Sequence, residues 1–161
     1  MKKYAVSRHV VYYWIERGVV DARQLNAGIN VSQWIPVLSV ADVDAAVATT
    51  LAAGGRTFAD PVDIEGRGRM AVIGDPQGAV MSLLRSASGD PRYDDLSIGG
   101  FVWNEIWTDN IPGALDFYSR VAGYNRAQAS IRNGETYHYL SQATVPVAGV
   151  LQNPIPDLRT S

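Results

Sequence analysis

The chain has 161 residues, the length of one domain or of two very small ones. Hydrophobic residues make up 47% and charged residues 19%, as in an ordinary globular protein. The 14 Lys and Arg residues do not exceed the 16 Asp and Glu residues, so we expect no nucleic-acid partner. The absence of cysteine excludes disulfides, thiolate nucleophiles and cysteine-rich zinc sites.

The first apolar segment bears on location. Residues 10–15 are apolar, but this run is too short for the core of a signal peptide or for a membrane span. We therefore expect a cytoplasmic protein that has no membrane partner.

An internal repeat organises most of the chain. Residues 34–40 and 102–108 are extended apolar segments, and each precedes an acidic or amide residue, a helical pattern and a glycine. Gly55 and Gly123 are 68 residues apart (123 − 55 = 68), and the same step aligns Ile35 with Trp103 without a gap. The sequence therefore predicts two copies of one structural unit.

Each copy contains a predicted amphipathic helix, because apolar residues recur with a 3.6-residue period. The first helix presents the stripe Val43, Ala46, Val47, Thr50 and Leu51, and the second presents Ile111, Ala114, Leu115 and Tyr118.

Capping residues define both helices. Asp42 can cap the first helix, and either Asp109 or Asn110 can cap the second. Pro112 suits a first helical turn. The pair Gly54–Gly55 and the single Gly123 predict the two C-terminal ends.

Strands are predicted after each helix. In the first copy, residues 69–73 and 79–84 flank a Pro- and Gly-containing turn. In the second copy, residues 127–131 and 136–140 flank Asn133–Gly134, a pair typical of two-residue hairpins, and residues 147–151 form a further strand. Each copy thus consists of a strand, a helix and about three strands.

These elements predict five regions. Two complete modules cover residues 34–85 and 101–152, and a linker rich in Ser, Gly, Asp and Pro joins them at residues 86–100. We interpret residues 1–33 as the closing strands of an incomplete leading module. Residues 153–161 form an irregular tail.

Three stretches resemble the vicinal oxygen chelate superfamily, which includes glyoxalase I, bleomycin-resistance proteins and extradiol dioxygenases. They are residues 40–55, residues 68–78 with their Asp-Pro-Gln-Gly turn, and residues 103–118. The resemblance implies an α+β fold of paired βαβββ modules, a curved mixed half-barrel with helices on its convex face and a ligand cavity on the other. The chain resembles the central part of a tandem four-module member.

The resemblance also implies where a metal ion would bind, since enzymes of the family take their ligands from the first and last strands of each module. Those positions fall on Ile35, Trp103, Ser82 and a residue within 147–151. None of them offers a carboxylate or an imidazole, so we expect no metal and no cofactor. The two histidines, His9 and His138, belong to different units and predict no alternative site.

Strand alternation suggests an aromatic ligand cavity instead. Trp103, Glu105 and Trp107 share one face of their strand. The corresponding face of the first copy contains Ile35 and Val37, and Ser82 faces the same cavity from the last strand. These six residues are the predicted ligand-binding set, and they suit a small organic molecule.

Glu105 is the one candidate for a catalytic residue, as an acid, a base or an anchor for a cation. It can equally pair with a surface cation or lie at a subunit contact. The two tryptophans can equally form core or interface packing, and Tyr137 and Tyr139 are interpreted as packing residues.

We therefore predict a metal-independent small-molecule-binding protein of the glyoxalase and bleomycin-resistance type, and leave open whether it is an enzyme. A first alternative is a metal-dependent lyase, isomerase or dioxygenase whose site is completed across a dimer. A second is an inactive fragment of a tandem protein. Open strand edges favour a homodimer, with exchanged modules as one form of it.

Overall fold

A computed structural model describes residues 35–90, 103–131 and 134–154. The chain divides into two compact units, with the break between Asp90 and Pro91. The first unit contains β1 (Val37–Ser39), α1 (Val43–Ala52), β2 (Arg56–Ile64), β3 (Gly68–Gly74) and β4 (Val80–Ser86). The second contains β5 (Glu105–Thr108), α2 (Ile111–Ala122), β6 (Asn125–Ser130), β7 (Thr136–Gln142) and β8 (Val145–Gln152).

The two units share one topology. Their strand orders are β1-β4-β3-β2 and β5-β8-β7-β6. In each sheet the first strand pairs in parallel with the last strand, and the remaining pairs are antiparallel. The predicted α+β class, with a mixed sheet and one helix in each βαβββ module, is confirmed.

Local signals explain where the helices begin and end. The Asp42 carboxylate accepts a hydrogen bond from the Ala45 amide at 3.0 Å. In the second unit the cap is Asn110, whose side chain accepts from the Gly113 amide at 3.0 Å. Gly54 and Gly123 follow the helices with φ of 83° and 70°, the left-handed conformation that glycine adopts most readily.

One member of the predicted helical stripe is not in the core. Val43, Ala46, Val47 and Thr50 are buried, but the Leu51 side chain is 54% exposed. Leu51 lies at the edge of the stripe and one residue before the end of α1, where the helix turns its last side chains toward solvent.

Three strands follow α1, as predicted. The sequence pattern set no bounds for the first of them, β2, which runs through Pro61 as an edge strand, where a missing amide hydrogen is tolerated. The predicted two-residue hairpin is longer, because the Ile131 amide donates to the Glu135 carbonyl at 3.0 Å. Residue 133 itself lies outside the described residues.

Ion pairs identify the sheet face that the helix covers in each unit. Arg69 on β3 binds Asp44 of α1 at 2.6 Å, and Arg126 on β6 binds Asp116 of α2 at 2.5 Å. Side chains that alternate with these arginines point away from the helix. We call that surface the open face of each unit, because it lies opposite the helix; the name does not refer to solvent exposure.

Several sequence predictions concern residues that the structure does not describe. They include His9, the proposed strands of residues 1–33, the linker beyond Asp90 and the tail beyond residue 154. The boundaries of the five regions therefore stay predictions. Neither α1 nor α2, the helices of the described segments, is long and apolar enough to cross a membrane.

Candidate functional site

Strand register makes the two open faces directly comparable. Val37 is paired with Ser82 in the first unit, and Glu105 is paired with Gly149 in the second. The Ser82 amide donates to the Pro36 carbonyl, and the Gly149 amide donates to the Asn104 carbonyl, both at 2.9 Å. Gly149 is therefore the counterpart of Ser82.

This equivalence defines the four positions at which the family resemblance would put metal ligands. They are Ile35, Ser82, Trp103 and Gly149. Only Ser82 offers a side-chain oxygen, and a neutral hydroxyl is a weak ligand for a divalent ion. Within residues 35–90, 103–131 and 134–154, no group of three or more His, Asp or Glu side chains could hold a metal ion. The donor set does not fit the family metal.

On the open face of the first unit, the predicted site residues differ in exposure. Val37 is 45% exposed, whereas Ser82 is fully buried. Val72 is the neighbour of Ser82 across the sheet. Among the residues that the structure describes, the Ser82 hydroxyl has no hydrogen-bond partner. This face therefore offers one buried, unpaired oxygen within an apolar surface.

On the open face of the second unit, four side chains form a hydrogen-bonded chain that we call the indole–carboxylate cluster. Its members are Trp103, Glu105, Trp107 and Tyr137. The indole nitrogen of Trp103 donates to the Tyr137 hydroxyl at 2.9 Å, and that hydroxyl donates to Oε1 of Glu105 at 3.3 Å. The indole nitrogen of Trp107 donates to Oε2 of Glu105, also at 3.3 Å.

Gly149 allows the cluster to lie against the sheet. A Cβ atom at this position would overlap the Tyr137 hydroxyl oxygen and would lie 3.2 Å from the indole nitrogen of Trp103. Glycine is the one residue without that atom. The absence of a side chain at Gly149 is therefore a condition for the Tyr137 ring to lean across β8 toward Glu105.

The ring surfaces of the cluster are open to solvent. Trp103 is 37% exposed and Trp107 is 52% exposed. Burial raises the pKa of the Tyr137 phenol, the hydrogen bond from Trp103 opposes that change, and the Glu105 carboxylate raises the pKa further. Tyr137 is therefore a protonated hydrogen-bond donor at neutral pH.

The structure brings together the predicted residues Trp103, Glu105 and Trp107, which lie on β5 or just before it. It adds two residues that the sequence reasoning missed. Tyr137 had been interpreted as packing, and Gly149 had not been singled out. The sequence shows only that Tyr137 follows the turn residue Gly134 closely. That Tyr137 lies near Gly149 and Glu105 follows from the register between β7 and β8. His138 alternates with Tyr137, so it points to the helix side and is half-buried.

Comparisons with known proteins found relatives of this chain. No family model matches the chain. It is 32% identical over 123 residues to "Putative glyoxylase CFP32" of Mycobacterium tuberculosis, covering 76% of this chain and 47% of that protein. It is 33% identical over 116 residues to "Anthracycline biosynthesis protein DnrV" of Streptomyces peucetius, covering 72% and 42% respectively. The chain thus spans less than half the length of these relatives.

Proposed function

Because this chain belongs to the vicinal oxygen chelate superfamily, we propose that it binds a small organic molecule on the open face of its second unit, without a metal ion. The indole–carboxylate cluster is the observation that supports this proposal. It combines exposed aromatic surface with a few fixed polar groups, which is the usual composition of a site for an organic ligand.

The chemistry of the cluster favours a planar aromatic ligand. Indole rings gain from offset stacking with another aromatic ring, beyond the gain from burial of apolar area. Both indole nitrogens already donate within the cluster, so a ligand need not satisfy them. A fused-ring compound that covers Trp107 would bury an apolar side chain that is now 52% exposed.

One relative supports the same class of ligand. DnrV is named for anthracycline biosynthesis, and an anthracycline contains a planar fused-ring system. We propose such a ring system as the ligand class for this chain. Glu105 would orient the ligand through its fixed carboxylate, rather than act as an acid or a base.

Metal independence is the second part of the proposal. Ile35, Trp103 and Gly149 have no side-chain donor atom for a divalent cation, and Ser82 has only a hydroxyl. We expect elemental analysis of the purified protein to find Fe, Mn, Ni and Zn far below one equivalent per chain. A stoichiometric metal would instead favour the alternative in which a second chain completes an enzyme site.

Calorimetric titration with daunorubicin, a commercially available anthracycline, tests ligand binding. Trp107→Ala should weaken binding by about two- to twelvefold, since one aromatic stacking contact contributes roughly 0.5–1.5 kcal/mol. Leu51→Ala is the matched control, because it removes a side chain of similar exposure, 54%, from α1 of the first unit. The proposal is wrong if daunorubicin does not bind, or if both variants bind it equally well.

We also propose that the chain forms a homodimer. In the described sheets, β2 and β6 are edge strands, and the backbone groups along an unpaired edge can hydrogen-bond to another strand. Sedimentation equilibrium should give twice the mass of the chain, which is 17.5 kDa. A monomeric mass at micromolar concentration would contradict this part of the proposal.

A further inference from the structure

We infer that the aromatic ligand carries a protonated amine, and that the Glu105 carboxylate binds this amine between the two indoles. The inference rests on the proposed function, because it specifies the ligand of the same site. It adds a charge requirement that a neutral aromatic compound would not meet.

The hydrogen bonding of Glu105 leaves its negative charge uncompensated. Each carboxylate oxygen accepts one hydrogen bond from a neutral group, Tyr137 at Oε1 and Trp107 at Oε2. A carboxylate has about four acceptor sites, so each oxygen keeps the capacity for one further donor. An ammonium group, which has several N–H donors, can use both oxygens.

No cationic side chain of the described residues forms an ion pair with Glu105. The ion pairs that these parts of the chain form join Arg69, Arg120 and Arg126 to aspartates. Arg126 points to the helix side of the second sheet, where it binds Asp116 at 2.5 Å. The open face therefore has a fixed anion and, within the described residues, no positive charge paired with it.

The neighbours of Glu105 favour a cation over water at this position. Trp103 and Trp107 precede and follow Glu105 on the same face, and both rings are partly exposed. Indole is the aromatic ring that attracts cations most strongly through its π-electrons. A ligand amine above Glu105 would gain from the carboxylate and from the adjacent rings, while its ring system stacks on Trp107.

Rigidity strengthens this arrangement. The Glu105 side chain already accepts two hydrogen bonds of 3.3 Å, so part of its side-chain freedom is lost before the amine binds. A free surface carboxylate would lose that freedom on binding. The hydrogen-bond chain thus prepares an anion in a defined position, which is what recognition of a single ammonium group requires.

A matched pair of probes tests the inference. Daunorubicin has a protonated amine, and N-acetyldaunorubicin has the same ring system without the charge. Wild-type protein should bind daunorubicin about tenfold more tightly, the order that one half-exposed ion pair and one cation–π contact give together. Glu105→Gln should remove this preference by weakening daunorubicin alone, since the amide keeps the size and one acceptor oxygen.

The control variant is Glu135→Gln, which changes the net charge equally at an exposed residue beside the β6–β7 hairpin. It should keep the full preference for the amine. Equal affinity of wild-type protein for both probes would overturn the inference and leave the proposed function standing. Failure of both probes to bind would overturn the proposed function itself. The wild-type comparison requires no variant, so a folding defect in Glu105→Gln would not remove the test.

Discussion

The open faces of the two units have the same strand topology, but their side chains differ in chemistry and in exposure. The register equates Met70 with Tyr137 and Val72 with Tyr139, just as it equates Ser82 with Gly149. In the first unit, Met70, Val72 and Ser82 are almost completely buried. In the second unit, the two tyrosines are only half-buried.

The difference shows how two copies of one fold can differ in what they bury on the same sheet face. On the first open face, Ala59, Ile64, Met70 and Val72 form a buried apolar cluster. On the second, Tyr137 and Tyr139 of β7 take the positions of Met70 and Val72 and are only half-buried. Burial of apolar area stabilises the first face, whereas the exposed indoles of the second give up part of that stabilisation and would form the surface for the proposed ligand.

The largest expected effect comes from truncation of the buried face. Met70→Ala should lower the free energy of unfolding by roughly 2–5 kcal/mol, because it leaves a cavity in a packed cluster. Tyr137→Phe, at the equivalent position, should cost only about 0.5–1.5 kcal/mol, the contribution of one hydrogen-bonded hydroxyl. Urea unfolding measures both. Similar losses for the two variants would mean that the faces do not differ in the way described.

The second effect concerns Gly149. A methyl group there should cost roughly 1–3 kcal/mol, since it would overlap the Tyr137 hydroxyl and force the ring away from Glu105. Daunorubicin affinity should fall together with stability. In the double variant Gly149→Ala/Tyr137→Phe, part of the stability loss should be recovered, because the hydroxyl oxygen, the closest atom, is gone while the ring carbon Cζ stays 2.8 Å from the new methyl group. Strictly additive losses would show that Tyr137 does not lie over Gly149.

Local signals in the sequence were sufficient for both helices and for most of the strands, but not for β2 or for the length of the β6–β7 hairpin. Asp42 caps α1 as predicted, and Gly123 ends α2, because each of these features depends on a few adjacent residues. The choice between Asp109 and Asn110 stayed open for the same reason, since both residues can cap and they differ by one position. The internal repeat predicted the division into modules, because two copies of one pattern imply two copies of one module.

The cluster could be predicted only in part. Alternation along one strand put Trp103, Glu105 and Trp107 on one face, which requires no knowledge of the neighbouring strands. Tyr137 reaches Glu105 from β7 across β8, so its role depends on strand order and register. The residue pattern within one strand shows neither the strand order nor the register. Gly149 becomes significant only after the position of Tyr137 is known.

A third effect, of opposite sign, is expected at Ser82. Its buried hydroxyl has no hydrogen-bond partner in the part of the chain that the structure describes, so Ser82→Ala should raise the free energy of unfolding by about 1 kcal/mol. The control is Ser141→Ala, where the hydroxyl is also buried but donates to the Ala143 carbonyl at 3.3 Å. That variant should lose about 0.5–1.5 kcal/mol. Urea unfolding of both variants decides the point, and destabilisation by Ser82→Ala would show that its hydroxyl has a partner.

The smallest effect concerns a feature that the two units share, the ion pair between helix and sheet. Arg69 lowers the pKa of Asp44, and Arg126 lowers the pKa of Asp116, in each case mainly through a direct hydrogen bond. A carboxyl whose folded pKa is lowered stabilises the protein above the usual aspartate value of 3.8. That stabilisation is lost as the pH falls through the lowered pKa.

Asp44→Asn and Asp116→Asn should therefore each melt slightly below wild-type protein at pH 7, and the difference should be smaller at pH 2, because each carboxyl loses its charge as the pH falls through its lowered pKa. Both pairs are exposed to solvent, so high salt should reduce the difference at pH 7 as well. Asp60→Asn, an equal change of charge at an exposed residue of β2, serves as the control for net charge. Thermal unfolding at the two pH values measures the effect in each unit. A difference that is as large at pH 2 as at pH 7 would mean that the asparagine disturbs packing, because the ion pair weakens as the carboxyl is protonated.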